Sequence, residues 1–460
     1  MKLQFYNSLG RQVAAFQPIQ AGKVRLYTCG PTVYDYAQLG NLRTFVFYDT
    51  LRRTLEANEY QVQQVMNITD VGHLTSDADE GEDKLEKGAK SQGKSVGEVA
   101  EFYTKAFMED VQALNILEPR YAKATDFIAE QIEIIKLLVA KDFAYQTEQA
   151  IYFDVTKLPS YGQLTGQKLE DKEVAVRDEV VTDKNKRHPQ DFALWFFTVG
   201  HFAEHSLRWP SPWGEGFPGW HLECSAIIHA TLGDPLDIHA AGVDLIGTHN
   251  TNEMAQTEAA FGHQLANYWL HSEHLLIDGQ RMGKSLGNFY SLADVVKRGY
   301  DPLSLRLLYL QAHYRTQLNF TWESLGGAQQ NLNDLGAWAD LKHQPGALKA
   351  ASQEEISKFN AEIDESLAND FNTARALAAI NGLIDKVRPA ANLLAKIDEL
   401  LGLKLSRRLD INDQQKKLIS ERQAARQAKD WAKADELRQK IESQGLSVRD
   451  TDSGPLWSRL

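Results

Sequence analysis

At 460 residues the chain is long for one domain, and about three units is the expectation. Hydrophobic residues at 43% and charged residues at 24% are ordinary for a soluble globular protein with a large core. A formal net charge of −12 disfavours nonspecific coating of nucleic acid but leaves room for a local basic face, and the N-terminus has no long apolar run to suggest a secretory signal or a membrane span.

In chain order, the alternation of Val24, Leu26 and Thr28 reads as a short buried strand that Gly30 and Pro31 stop. An apolar rhythm through Leu42, Phe45 and Val46 predicts a helix starting near Gly40. Strand, glycine turn and helix N-terminus together form the phosphate-binding corner of a doubly wound fold, because the first helical amides are unpaired and the helix dipole there is positive. A helix to Asn58 and a strand at Val62–Met66 repeat the unit. The charged run 77–93 reads as a loop or irregular helix, followed by helices near 95–114 and 126–141. Residues 116–193 read as an insertion between two halves of a parallel sheet, with short strands and a polar loop at 171–188, after which Phe192–Phe197 resumes an apolar strand. The rigid aromatic stretch Trp209–Trp220 delivers His221-Leu-Glu-Cys224 to a helix. Leu236–His239 is a strand, Gly242-Val-Asp244 a turn, His249–Glu253 the start of another helix, and Leu275–Ile277 a last strand before the glycine-rich loop Asp278–Asn288. Beyond about 320 the pattern is helical, with helices near 323–340, 353–367, 373–396 and 411–443 forming a bundle.

Two places carry basic residues in numbers, Lys184–His188 and a C-terminal spread from Arg422 to Lys440. The chain has only two cysteines, Cys29 and Cys224, far apart in sequence. Without a secretory signal a disulfide between them is not expected, and a metal or a reactive thiol is the more interesting use. His249 and Glu253, at i and i+4, leave one helix face a turn apart. Two thiolates, an imidazole and a carboxylate make a tetrahedral Zn²⁺ set, and all four candidates fall at one edge of the proposed sheet. Three further features suit a nucleotide: Gly40 at a helix start, Gly242 with Asp244 at a strand end, and the loop Arg281-Met282-Gly283-Lys284-Ser285. Glycine admits close approach of adenine or ribose, Asp244 accepts from a hydroxyl, and Lys284 neutralises phosphate charge that grows in a transition state.

Taken together these segments resemble the class I aminoacyl-tRNA synthetases, and within them the cysteinyl-tRNA synthetase family, over nearly the whole chain. Cys29-Gly-Pro-Thr-Val-Tyr-Asp-Tyr-Ala37 resembles the family's N-terminal zinc-ligand stretch, and Gln38-Leu-Gly-Asn41 occupies the place of its first signature, His-Ile-Gly-His. Pro218–Cys224 and Thr248–Glu253 are similar to the stretches carrying the other zinc ligands, and Arg281–Ser285 stands in place of Lys-Met-Ser-Lys-Ser. The resemblance implies ligation of cysteine to tRNA(Cys) through cysteinyl-adenylate, with ATP and Mg²⁺, and with one Zn²⁺ that tells the substrate thiolate from the hydroxyl of serine. It places Gly30, Thr69 and Trp220 around the amino acid and gives the C-terminal helices to the tRNA anticodon stem. The expected fold class is α/β, a Rossmann-like doubly wound parallel sheet with an inserted connective domain, followed by an all-α helical bundle and a small C-terminal domain.

The expected divisions are 1–115 and 194–290 for the two halves of the catalytic domain, 116–193 for the insertion, 291–325 for a stem-contact region, 326–405 for the bundle and 406–460 for anticodon recognition. A cytoplasmic monomer is expected. The signatures are altered, with Gln38 and Asn41 for two histidines, Gly283 for serine, Arg281 for lysine, and Asn250 where a second histidine usually follows the ligand. Gln38, Asn41 and Lys284 are expected to serve catalysis, the first two as neutral donors to ATP phosphates. The changes leave two other readings open, a noncatalytic tRNA-binding paralogue and an adenylating ligase that joins cysteine to a small amine.

Overall fold

Residues Lys23–Thr28 form a strand with Val24, Leu26 and Tyr27 wholly buried, and the main sheet is built outward from it. The computed structural model of the chain describes residues 2–76, 80–166, 183–283, 286–344, 346, 348–384, 386–451 and 454–460. It falls into two units, Lys2–Arg298 with Tyr314–Phe320, and Gly299–His313 with Thr321–Leu460.

The first unit begins with a hairpin, β1 (Gln4–Asn7) and β2 (Gln12–Ala15), then β3 (Lys23–Thr28), α1 (Leu39–Ala57) and β4 (Gln61–Ile68). A second hairpin, β5 (Leu74–Ser76) and β6 (Glu80–Asp83), leads to α2 (Lys84–Gln92), α3 (Val96–Ala113), β7 (Arg120–Lys123) and α4 (Ile128–Ala140). Next come β8 (Ala144–Gln146), β9 (Ala150–Phe153), β10 (Phe192–Phe197) and β11 (Gly216–Pro218). The unit continues with α5 (Trp220–Thr231), β12 (Leu236–Gly242), α6 (Thr251–Phe261), β13 (Ala266–Ser272), β14 (Leu275–Ile277), β15 (Gln280–Arg281) and α7 (Leu292–Lys297).

Five of these strands pair in parallel in the order β13-β12-β3-β4-β7. The chain grows outward from β3 through β4 to β7, then returns to the other side of β3 with β12 and β13. The loops leaving β3 and β12 therefore run apart, and such a reversal opens a crevice at the carboxyl ends of the two strands. Every residue of β12 is buried, as in a strand covered on both faces. The first residue past β3 is still held by β12, through Cys29 N–H donating to Ala240 O at 3.1 Å.

The apolar run Phe192–Phe197 does not resume this sheet. As β10 it pairs antiparallel with β9 and β11 in a separate four-stranded sheet, β11-β10-β9-β8, and all six of its residues are buried. A short, uniformly apolar run cannot disclose whether its neighbours are parallel or antiparallel. Leu275–Ile277 is likewise no member of the main sheet, pairing instead with β15 and with β16 (Leu318–Phe320). The charged run at 77–93 supplies a regular helix, α2, capped by Asp83 accepting from the amides of Leu85 and Glu86, while 77–79 lie outside the described residues. Most of the polar stretch at 171–188 also lies outside them.

The second unit contains α8 (Pro302–Leu310), α9 (Trp322–Asp340), α10 (Gln353–Ala368), α11 (Thr373–Asn381), α12 (Ala391–Leu401), α13 (Asp413–Gln427) and α14 (Trp431–Ser443). The single helix expected at 373–396 is two, α11 and α12, with Pro389 in the break, and that expected at 411–443 is a helical hairpin turning at Lys429, whose φ is +59°. The chain does not end helical: β17 (Leu446–Thr451) pairs antiparallel with β18 (Gly454–Arg459). Buried Asp340 at the end of α9 holds this hairpin and the preceding linker, accepting from both Arg408 (2.7 Å) and Arg459 (3.2 Å). Among the described residues no helix is long and apolar enough to cross a membrane.

Candidate metal centre and nucleotide pocket

The crevice at the switch point receives three corners of the fold: the turn after β3, the first turn of α5, and the loop between β12 and α6. The first is drawn tight by Gly30, whose N–H donates to Asn67 Oδ1 at 2.7 Å and where a Cβ would lie 1.8 Å from the Asn67 carbonyl. No larger residue fits without moving the end of β4. At the third corner residues Ile246–Asn250 form a single π-turn running into α6, a local widening common at functional sites.

These corners bring one donor atom each from Cys29, Cys224, His249 and Glu253 within 4.8 Å of one another, all four side chains buried. His249 Nε2 lies 2.6 Å from Glu253 Oε1 and 3.3 Å from Cys224 Sγ. With Nε2 turned to the cluster, the other ring nitrogen, Nδ1, lies 3.1 Å from His221 Nδ1, an outer contact that holds the ring's orientation. The second carboxylate oxygen of Glu253 pairs with His239 Nε2 at 2.6 Å, and Asn250 Nδ2 donates to Glu253 Oε1 at 3.3 Å. Burial alone would raise the Glu253 carboxyl, yet the His239 and His249 rings beside it hold it well below the usual carboxylate range. Burial pushes the Cys29 and Cys224 thiols up, the Glu253 charge adding to the effect on both. A divalent cation would reverse this by pairing with the thiolates. Two soft sulfurs, one imidazole and one carboxylate, all desolvated and with Cys29, His249 and Glu253 backed by outer polar contacts, fit a tetrahedral zinc site.

Cys29 and His249 also face a cavity of about 320 Å³. Its wall includes Gly30, Gln38, Asn41, Thr69, Trp220 and Asp244. Thr69 Oγ1 donates to Glu223 Oε2 (2.7 Å) and accepts from Asn67 (3.0 Å), so its hydroxyl is fixed in direction. Burial raises the Glu223 carboxyl well above its ordinary value, the Thr69 hydrogen bond opposing it. Trp220 stacks on His73 with ring centres 3.8 Å apart and lies 4.3 Å from the His249 ring. At the far end Gln38 caps α1, its N–H donating to Asn41 Oδ1 at 3.2 Å. Gly40, Gly242, Arg281, Met282 and Gly283 lie off the cavity wall. A Cβ on Gly242 would sit 2.4 Å from Asp244 Oδ1, so this glycine leaves room for the Asp244 carboxylate, while Gly40 packs toward Leu275 and Met282. Lys284 and Ser285 lie outside the described residues.

Sequence reasoning missed His239, His221, Asn67 and His73, polar residues that act by touching another side chain. It also missed Lys84, whose ammonium reaches His73 Nε2 at 2.5 Å from the first turn of α2. The signal for His73 was its place just after the strand end Asn67–Asp70; the other four stand in no pattern that spacing alone exposes.

The architecture recurs in solved structures. A Mycobacterium tuberculosis methionyl-tRNA synthetase in complex with methionyl-adenylate superposes with TM-score 0.57 over 84% of this chain and 89% of that one, at 13% identity. An Agrobacterium radiobacter LeuRS in a ternary complex does so with TM-score 0.56 over 85% and 83%, at 11% identity. The fold is that of a class I aminoacyl-tRNA synthetase. Residues 15–330 match the family model for the tRNA synthetases class I (C) catalytic domain, and 409–457 that for the cysteinyl-tRNA ligase anticodon binding domain. The cysteine–tRNA ligase 1 of Burkholderia lata is 46% identical over 99% of this chain and 96% of its own, and the cysteine–tRNA ligase of Treponema denticola is 41% identical over the full length of both. The chain belongs to the cysteine–tRNA ligase family.

Proposed function

We propose that this protein is a cysteine–tRNA ligase. The carboxylate of cysteine attacks the α-phosphate of ATP and expels pyrophosphate; a hydroxyl of the terminal ribose of tRNA(Cys) then attacks the acyl carbon and expels AMP. The observation that carries the reading is the soft donor set of Cys29, Cys224, His249 and Glu253 at the edge of a nucleotide-sized cavity. Zinc is the ion assigned to it, supplying a soft Lewis acid that favours a thiolate over the hydroxyl of serine.

The chain's own residues do the positioning. Gly30, Thr69 and Trp220 form the amino-acid wall. Gln38 and Asn41 donate to the ATP phosphates beside the unpaired amides of α1, whose dipole favours anions. Asp244 accepts from a ribose hydroxyl, and Gly40 and Gly242 serve the nucleotide from behind the cavity wall, Gly242 by leaving room for the Asp244 carboxylate. Arg281, Met282, Gly283, Lys284 and Ser285 are assigned to ATP, with Lys284 neutralising charge that grows on the leaving pyrophosphate and Mg²⁺ accompanying ATP. The helices of 326–405 and the region 406–460 hold the tRNA, basic side chains meeting phosphates. The reading carries with it a cytoplasmic monomer.

The test is ATP–pyrophosphate exchange followed by charging of tRNA(Cys). Exchange that depends on cysteine and does not respond to serine, in protein holding about one zinc per chain, is the expected result. Absence of cysteine-dependent exchange in zinc-loaded protein overturns the reading, and charging of an amino sugar in place of tRNA would redirect its second step.

A further inference from the structure

The helices beside the cavity carry two features that adenylate formation leaves unused. Phe102 and Tyr36 are 44% and 42% exposed. With Tyr103 they form an edge-on cluster, ring centres 5.2 Å apart for Tyr36 and Tyr103, 5.1 Å for Phe102 and Tyr103, and 6.1 Å for Tyr36 and Phe102. Tyr36 and Tyr103 also line the cavity, so these rings are its rim and not a detached patch.

The second feature is charge. Along and just past α2 stand Lys87, Lys90 and Lys94, all exposed, and among the described residues none forms an ion pair with a carboxylate. Lys94 Nζ lies 5.0 Å from the centre of the Phe102 ring. In a chain of net charge −12, three exposed lysines, of which Lys94 alone feels a nearby carboxylate, that of Glu98, stand against exposed aromatic faces and select an anionic partner with flat rings of its own. Single-stranded nucleic acid has that chemistry: bases stack on aromatic side chains while cations follow the phosphates.

We propose that this rim, Phe102 and Tyr36 with Lys87, Lys90 and Lys94, docks the unpaired 3′ end of the tRNA, the base preceding the terminal nucleoside stacking on Phe102. The proposal rests on the functional reading above, since acyl transfer must bring the terminal ribose into the cavity and the strand before it must cross the cavity's rim. Nothing in it depends on the metal or on the nucleotide corner.

The experiment uses the full-length protein and tRNA(Cys) with 2-aminopurine at the base before the terminal nucleoside. Wild type should quench its fluorescence on binding. Phe102→Ala should abolish the quench and lower kcat/KM for tRNA charging by about 5- to 100-fold, the range of one lost base stack, with cysteine-dependent pyrophosphate exchange unchanged. Phe102→Tyr, which keeps the ring, should behave as wild type. Replacing Lys87, Lys90 and Lys94 by Gln should reduce the slope of log K against log salt by about 2. Wild type that binds without quenching overturns the proposal, as does Phe102→Ala that charges within twofold of wild type while exchange is intact. Absence of cysteine-dependent exchange in wild type would fall on the functional reading, and the rim would still be judged by the quench.

Discussion

Cys224 and Glu253 are shut away from water behind one end of the cavity, whereas Asn41, on the wall of the other end, is exposed. At the buried end three of the four donors lean on a polar group outside the set: Glu253 on His239 at 2.6 Å, His249 on His221 at 3.1 Å, Cys29 on Asn250 at 3.8 Å. Removing one leaves its partners desolvated and uncompensated, which is costly inside a protein. The solvated end works otherwise. The first amides of α1 already present partial positive charge, and water screens what the side chains lack. Neutral Gln38 and Asn41 can stand there in place of histidines, while at the buried end all four donors keep the residue types a zinc site needs.

Breaking the buried end should therefore have the largest effect. Cys224→Ser is expected to bring bound zinc from about one per chain to background, with loss of cysteine-dependent exchange beyond the 10- to 100-fold typical of an outer partner. Retention of stoichiometric zinc by this variant, read by elemental analysis, would show that the four donors are not one site. At the solvated end Gln38→Ala should cost about 10²–10³ in the exchange rate if its amide is a transition-state donor. Gln38→His should raise the wild-type rate; an unchanged rate in both variants would remove Gln38 from the chemistry. Smaller again is His239→Leu, which deprives Glu253 of its hydrogen-bonding neighbour without touching the donor set. It should weaken zinc by about 10- to 100-fold in competition with a chelator, while leaving KM for ATP unaltered.

The same contrast explains what can be read from the chain. Cys29, Cys224, His249 and Glu253 stand out in the sequence because metal binding accepts few residue types, and a doubly wound sheet says which strand ends meet. His239 and His221 do not stand out, because an outer hydrogen bond can come from almost any polar residue on a neighbouring element. The core strands β3, β4 and β12 are legible from their burial pattern and the helices between them. The direction of β10 is not, since six consecutive buried residues read alike in either kind of sheet. The break at Lys429 is hidden for a different reason. Helices that stop in the left-handed conformation usually announce it with glycine, and here a lysine at φ +59° does so, followed by Asp430 capping the next helix from its side chain.

Asn41 is where the comparison is most finely balanced, because one side chain has two jobs. Its Oδ1 accepts from the Gln38 amide and so helps to start α1, a contact worth about 0.3–1.5 kcal/mol. Its Nδ2 is the group proposed to meet ATP. Asn41→Ala removes both at once and cannot separate them. Asn41→Asp keeps the acceptor and sets a negative charge at a helix N-terminus, which favours the fold by about 0.3–1 kcal/mol, so Tm should hold or rise slightly. In the proposed pose the same charge faces a triphosphate, and like charges about 4 Å apart repel by about 1–4 kcal/mol between bulk-water and near-surface screening, so KM for ATP should rise about fivefold or more. A raised KM with an undiminished Tm assigns Asn41 to both helix and nucleotide. Unchanged KM for ATP would make Asn41 a cap alone and leave the phosphates at this end to Gln38 and the amides of α1.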